Sequence, residues 1–527
     1  MLLLSVPRFL WTLPRLLAAI VIIYGFLWVK SFPRELPTQS LPKNQEARTG
    51  YDDSNINQNR PADPENIIVT IRTGATEAFD KLPSQLLLTN PRDFGNLLLF
   101  SDLEQDIGGF HLHDVLSRFD PALMVNNSDF DIYRKQQEYA RLGLDMRLLK
   151  DEKDPNPNWR TKGHNAAWAL DKYKFLHMLE LAWELRPERD WYVFIETDTY
   201  LMRSNLYGWL GQFDPKEPYY FGNPTRNPHY NDGDTYPFAH GGSGIVLSGA
   251  ALRWFAVNNR GAAERWDADI ADMWFGDYVV AAALYEELEL NLTGVWPLLS
   301  GFKPTTIPYG PDVWCKAVVA LHHVLPEENS AIWRFERERE DFRHINSPLL
   351  FEELWKQFIR DEDLSTPRDN WDNLSSDFTN IQYNILSKNR DPPKSPKYRR
   401  SEMKPAPPSE KPASSSEKPA PPPGKPAPPK EAPAFSGLES SADACAKACE
   451  TQDQCMQWSY SSTPAPNFNE NGETKCHLST SFRLGSRRMP EDVSAKNETK
   501  VQRTWRSGWR KDKFWSWAEQ HRCNNIT

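Results

Sequence analysis

The chain has 527 residues, 39% of them hydrophobic, which is more than one domain needs and enough for a sizeable core. Its net charge of −9 argues against bulk electrostatic attraction to nucleic acid. Many of its 43 prolines fall in one tract, which marks a linker rather than a folded element.

The first element is the apolar run RLLAAIVIIYGFLWVK. Leu16–Val29 carries no charge but is shorter than the roughly 20 residues of a spanning helix. Phe9–Leu13 lengthens it if Arg15 snorkels to the interface. A cleaved signal peptide and a retained signal-anchor both fit. No small-x-small cleavage site follows Val29, which favours the anchor. The expected layout is a cytoplasmic tail at 1–15, a transmembrane anchor at 16–29 and a polar stem at 30–64. That is a single-pass type II membrane protein of the secretory pathway, with a secreted form as the alternative. Sequons at Asn126, Asn291, Asn373, Asn497 and Asn525 and six cysteines suit an oxidising lumen.

An α/β domain is expected over 65–385. NIIVTIRTG and NLLLFSD read as buried strands ending near polar residues. Ala166–Leu185 has apolar residues at helical spacing and predicts one helix. DWYVFIETDTYL follows as a strand, PYYFGNP as another, GIVLSGAALRWF as a strand-to-helix passage and GDYVVAAALYEEL as a helix. Strands alternating with helices imply a mostly parallel sheet, with ligands at the carboxyl ends of strands. Residues 386–434 repeat a Lys-Pro-Ala unit and read as a polyproline-type tether. Cys445, Cys449, Cys455 and Cys476 then crowd a module at 435–485 that is too small to hold by burial alone. Four cysteines allow three pairings. Cys445–Cys476 with Cys449–Cys455 is the pairing expected, and zinc is the rival reading. Cys315 and Cys523 are left to tie the tail back to the α/β domain. The last segment, 486–527, is basic and Trp-rich. It reads as a helix or strap packing its Trp face on the protein, without nucleic acid.

The chemistry starts at Glu196-Thr197-Asp198. Side chains alternate along a strand, so Glu196 and Asp198 are expected to share a face. Two carboxylates so placed repel unless a cation or donors compensate, and a hard divalent ion is the simplest compensation. Gly241, Gly242 and Gly244 allow close approach of backbone to a ligand; a tight turn is the plainer reading. Asp277 opens a predicted helix, as an N-cap or as a general base. His322 and His323 follow an apolar run, as structural residues or as ligands.

Taken together, WYVFIETDTY, NLYGWL, PYYFGNP, FAHGGSGIVLS, GDYVV and a late histidine resemble the family 31 glycosyltransferases. The likeness is to the fringe and core-1 β1,3-galactosyltransferase branch, in a fungal form. The cysteine module resembles a PAN/apple domain. The resemblance implies a GT-A fold, with a Rossmann-like mixed sheet flanked by helices, in a Golgi membrane protein. It implies Mn²⁺ and a UDP-sugar donor. Carried over by motif, Asp198 and His322 hold the metal, with Glu196 directly or through water. Asp277 is the base, and Gly241, Gly242 and Gly244 lie under the donor sugar. Arg72 and Asp102, which stand at the ends of the first two strands rather than in a family motif, are the candidates for gripping the nucleotide. Glu196 and Thr197 stand where the family usually has aspartates, and Gly276 where it has glutamate. The function implied is an inverting transfer of a hexose or N-acetylhexosamine from a UDP-sugar to an acceptor glycan or glycoprotein. A β1,3-linkage is the expected product. The alternative is a transferase-like binding protein without turnover, whose PAN-like module carries affinity for carbohydrate or protein.

Overall fold

The computed structural model describes residues 61–150, 163–225, 236–343, 347–376, 383–385, 437–465, 472–494 and 500–523. They fall in one compact unit spanning 45–527. The expected anchor at 16–29, the stem before residue 61 and the linker at 386–434 lie outside the described residues. Among the described residues, no helix is long and apolar enough to cross a membrane.

A mixed eight-stranded sheet organises the large domain. Five of its strands are β1 (Ile67–Arg72), β2 (Leu97–Ser101), β3 (Gln105–Ile107), β4 (Phe110–Asp114) and β5 (Trp191–Glu196). They lie in the order β5-β1-β2-β4-β3, and beyond β5 the sheet continues through Ile245–Ser248, Tyr220–Gly222 and Thr293–Gly294. β1 runs parallel to β2 and β5, whereas Ile245–Ser248 runs antiparallel to both its neighbours. Every residue of β1 and β2 is buried. A strand covered on both faces need not alternate polar with apolar, so these strands read as near-continuous apolar runs, with Thr70 inside β1 and Arg72 and Ser101 at the strand ends. The β1–β5 register sets Arg72 beside Glu196, which brings opposite charges together at the sheet's carboxyl edge.

The single helix expected over 166–185 is two helices, Gly163–Asp171 and Phe175–Leu185, joined by a 3₁₀ turn at Lys172–Lys174. Periodicity missed the break because Lys172 and Lys174 are themselves buried. Lys172 Nζ donates to the carbonyls of Ala271 (2.9 Å) and Met273 (3.0 Å), and Lys174 Nζ to that of Thr73 (2.9 Å). The helix expected from GDYVVAAALYEEL is present as Gly276–Leu288. Ser248 ends its strand and caps the next helix, accepting the N–H of Ala251 at 3.2 Å. A second sheet joins Tyr200–Leu201, Ala320–Leu321 and Leu299–Ser300.

The cysteine module has a sheet of Arg368–Asp369, Lys500–Trp509, Gln457–Thr463 and Glu473–Ser479. The boundary expected at 485/486 therefore does not separate module from tail. Lys500–Trp509 is a strand of the module, paired along Gln457–Thr463. Its basic residues read as a surface strap, while the pleat buries Trp505 and Ser507. The disulfides are Cys315–Cys523, Cys445–Cys476 and Cys449–Cys455, the pairs expected. Helix Lys511–Gln520 packs Phe514 against Trp355 (ring centroids 4.5 Å apart) and Trp517 against Trp314 (5.6 Å), as expected of a Trp-bearing element docked on the protein.

The sequon at Asn373 needs correction as a glycan site. Asn373 is fully buried, and its Nδ2 donates to the carbonyls of Trp458 (3.1 Å) and Gly508 (3.3 Å). Its side chain pins the segment after Arg368–Asp369 to the module's strands Gln457–Thr463 and Lys500–Trp509. Asn126, by contrast, is exposed, while Asn497 and Asn525 lie outside the described residues.

Candidate functional site

β5 stops at Glu196, so strand alternation does not reach Asp198. A turn places it instead. The Thr199 N–H donates to the Glu196 carbonyl at 3.1 Å, and Gln85 Nε2 donates to the carbonyls of Thr197 (3.0 Å) and Thr199 (2.8 Å). The small sheet then delivers the histidine. Leu321 pairs with Tyr200, and the Val324 N–H donates to the Asp198 carbonyl at 3.0 Å. His322 Nε2 thereby lies 3.2 Å from Asp198 Oδ1 and 3.5 Å from Glu196 Oε2. His322 is 4% exposed. His323 is more exposed, has a positive φ of 60° and stacks on His322 at 3.9 Å between ring centroids. The expected pair of carboxylates does converge, through a turn and a second sheet rather than one strand face.

The glycine loop joins this cluster to Asp277. The Gly241 N–H donates to Asp277 Oδ2 at 2.9 Å. The His322 ring occupies the space of a Gly242 side chain: a Cβ there would fall 2.1 Å from its Cε1. The Gly242 carbonyl accepts the Thr199 hydroxyl at 2.7 Å. Gly244 has a φ of +103°, a conformation that L side chains rarely adopt. Asp277 lies in the first turn of its helix and also accepts the Tyr278 N–H at 2.9 Å. Consecutive residues of one loop thus contact Asp277 and back His322.

Arg72 and Asp102, expected to grip a nucleotide, are placed differently. Arg72 is 6% exposed, pairs with Glu196 and meets Asp171 at 2.7 Å. Its guanidinium lies 3.9 Å over the Phe175 ring. Asp102 is fully buried, accepts the Ala75 N–H at 2.6 Å and lies 3.7 Å from Lys174 Nζ. A carboxylate so enclosed braces the turn after β1 and has no open face for a ligand. Arg72 acts on the site through Glu196. Phe175 also explains Gly276, because a Cβ there would fall 2.0 Å from the Phe175 ring.

The electrostatics follow from these neighbours. Burial opposes ionisation of Glu196, but Arg72 and then His322 outweigh it and hold the carboxyl below its ordinary value. Burial acts the same way on Asp198, where His322 prevails and lowers it. Burial also opposes a charge on His322, yet the two carboxylates raise it to about 9. Asp277 goes the other way: burial raises it to about 6, against the Gly241 N–H and Arg72. Burial lowers His240 to about 4, with His322 adding to it.

Asp198 Oδ1 and His322 Nε2 face each other at 3.2 Å, and His322 Nδ1 is buried with no hydrogen-bond partner among the described residues. Asp198, His322 and His323 can each bring one ligand atom within 4.8 Å of the others. Imidazole nitrogen with carboxylate oxygen suits a divalent cation, so the donor set fits the metal expected here. Asp171, Lys174, Phe175 and His240 were not foreseen. Asp171 lies three residues before Lys174 and pairs with it at 2.6 Å, within a segment that looked like an ordinary amphipathic helix. Lys81, also unforeseen, brings Nζ to 3.7 Å from Asp198 Oδ2.

Residues 158–298 match the family model described as Fringe-like. The matched stretch contains Glu196, Asp198, the glycine loop and Asp277. Arg72, Asp102 and His322 lie outside it. The match, on a mixed α/β sheet, supports a glycosyltransferase.

Proposed function

We propose that the chain is an inverting glycosyltransferase. It moves a hexose or N-acetylhexosamine from a UDP-sugar to a hydroxyl of an acceptor glycan or glycoprotein, with a divalent metal, taken as Mn²⁺. The product is a β1,3-linkage, made on the lumenal side of the Golgi membrane. One observation carries the reading: a single glycine loop joins the Asp198–His322 cluster to Asp277, whose carboxyl is raised to about 6 by burial.

Asp198 and His322 would hold the cation, with Glu196 beside them, and when bound it supplies charge neutralisation for the diphosphate leaving group. Arg72 keeps Glu196 ionised and in place. The Gly241–Gly244 loop lies under the donor sugar, its backbone held close against Asp277 and His322. Asp277 takes the proton of the acceptor hydroxyl as that oxygen attacks the anomeric carbon. The bond to the diphosphate oxygen breaks on the opposite face, and UDP carries away the electron pair. One displacement turns an α-linked donor into a β-linked product. The cysteine module, read as PAN/apple-like, presents acceptor carbohydrate or a protein partner.

The test is UDP release from UDP-Gal, UDP-Glc, UDP-GlcNAc and UDP-GalNAc, with Mn²⁺ and with chelator. Wild type turns over one of them with Mn²⁺, and Asp198→Ala loses this by about 10³-fold. Silence with all four donors overturns the enzyme reading in favour of a binding protein. Turnover that survives chelation overturns only the metal assignment.

A further inference from the structure

β3 and β4 form a hairpin at the outer edge of the large sheet, far along it from β5. Their antiparallel register pairs Gln105 with Leu112 and Asp106 with His111. One step further along the ladder, Glu104 comes opposite His113. Alternate residues share a face, so Glu104, Asp106, His111 and His113 project together. Their contacts agree. His111 Nδ1 lies 2.8 Å from Asp106 Oδ1, and its Nε2 lies 2.5 Å from Glu104 Oε1. The rings of His111 and His113 are 4.6 Å apart. Glu104, His111 and His113 can each bring one ligand atom within 4.8 Å of the others. Two of the parts are fixed. Glu104 Oε2 accepts the Asp114 N–H at 2.7 Å, and Leu112, between the histidines, is fully buried.

We infer that this hairpin binds a divalent cation of the Zn²⁺ type through His111, His113 and Glu104, with Asp106 orienting His111. Two imidazoles and a carboxylate favour such an ion over Mg²⁺ or Ca²⁺, which prefer oxygen alone. One His111 nitrogen would take the ion while the other keeps its contact with Asp106, as in other metal sites where a carboxylate fixes the ring. A simple ion-pair cluster would need only His111 between its two carboxylates. His113 is the part it leaves unexplained. The side chains of His111, Glu104 and Asp106 are open to solvent, so an ion can enter. The site shares no residue with the Asp198–His322 cluster. Glu104 lies two residues beyond Asp102, so a bound ion would brace the β2–β3 connection where Asp102 holds Ala75.

The experiment is Zn²⁺ binding to the full-length chain, stripped by chelation, measured by equilibrium dialysis with Mn²⁺ present. Wild type and Asp198→Ala are expected to retain the same Zn²⁺ site, while His111→Ala and His113→Asn each weaken it at least about tenfold, and Asp106→Asn by about tenfold. Zn²⁺ is also expected to raise the melting temperature of wild type more than that of His111→Ala, because an ion that binds only the folded chain stabilises it. Melting curves without Zn²⁺ establish that each variant is folded. Failure of wild type to bind Zn²⁺ at a free concentration of about 100 μM, roughly 100 times a micromolar Kd and so near full occupancy, overturns the inference. So does Zn²⁺ binding that His111→Ala and His113→Asn leave unchanged.

Discussion

At the candidate site, the sheet-edge cleft formed by Asp198, His322, the glycine loop and Asp277, the buried cations Arg72 and Lys174 sit among the carboxylates of Asp171, Glu196 and Asp102, and His322 faces Asp198. In the C-terminal module the buried core is Cys445, Cys449, Cys455 and Cys476, packed with Trp458 and Leu478. Each ion buried in the cleft carries a desolvation cost, offset only while its partner stays in place. The module relies instead on covalent staples and aromatic packing, and its own buried ion, Arg483, lies over the Phe302 ring. One region is therefore organised for chemistry and is sensitive to single charges. The other is organised for persistence and is sensitive to its crosslinks.

That contrast can be broken most directly at Asp277. Asp277→Asn is expected to lower turnover by about 10³-fold while UDP and Mn²⁺ still bind in calorimetry. The wild-type rate should fall as pH drops through about 6, because a protonated Asp277 cannot accept the acceptor's proton. The Asn variant should lack this acid limb. Next in size is the tail staple. Cys315 and Cys523 are 208 residues apart in sequence. Replacing both by serine should cost about 3–4 kcal/mol in denaturant unfolding, by releasing a long loop. UDP release should survive it, since neither cysteine touches the cleft. If turnover falls as steeply as stability, the two regions are one device and the comparison fails.

A smaller effect is expected at Gly242. Gly242→Ala sets a methyl against the His322 ring and should weaken Mn²⁺ affinity about tenfold, read by metal titration. The smallest is a null result at Asn373. Peptide mapping of the secreted or lumenal chain should find Asn126 glycosylated and Asn373 bare, because the Asn373 amide is spent inside the fold.

Much of the cleft could be read from the sequence, for a definite reason. Central strands buried on both faces are apolar along most of their length, so β1, β2 and β5 announced themselves, and the polar residues at their ends marked the edge where ligands gather. Asp198, Asp277 and the glycine loop stand in motifs with fixed spacing. Lys172 and Lys174 were illegible because buried lysines look like surface ones until their acceptors are known. Asp102 looked like a ligand for the converse reason: an acid at a strand end faces the cleft or the interior according to what packs beside it. The strand Lys500–Trp509 was hidden by basic residues that alternate with buried ones.

The sequence by itself determined the α/β alternation, the crowding of four cysteines in one module and the acidic, glycine-rich and histidine pieces, since each rests on local spacing or composition. Only the tertiary structure decided which pieces meet. The turn after β5 and the pairing of Leu321 with Tyr200 bring Asp198 to His322 across more than a hundred residues. Register sets Arg72 beside Glu196, and the missing side chain of Gly242 leaves room for the imidazole. Such contacts depend on how close two backbones come, and that distance is fixed by packing between segments rather than by either segment alone.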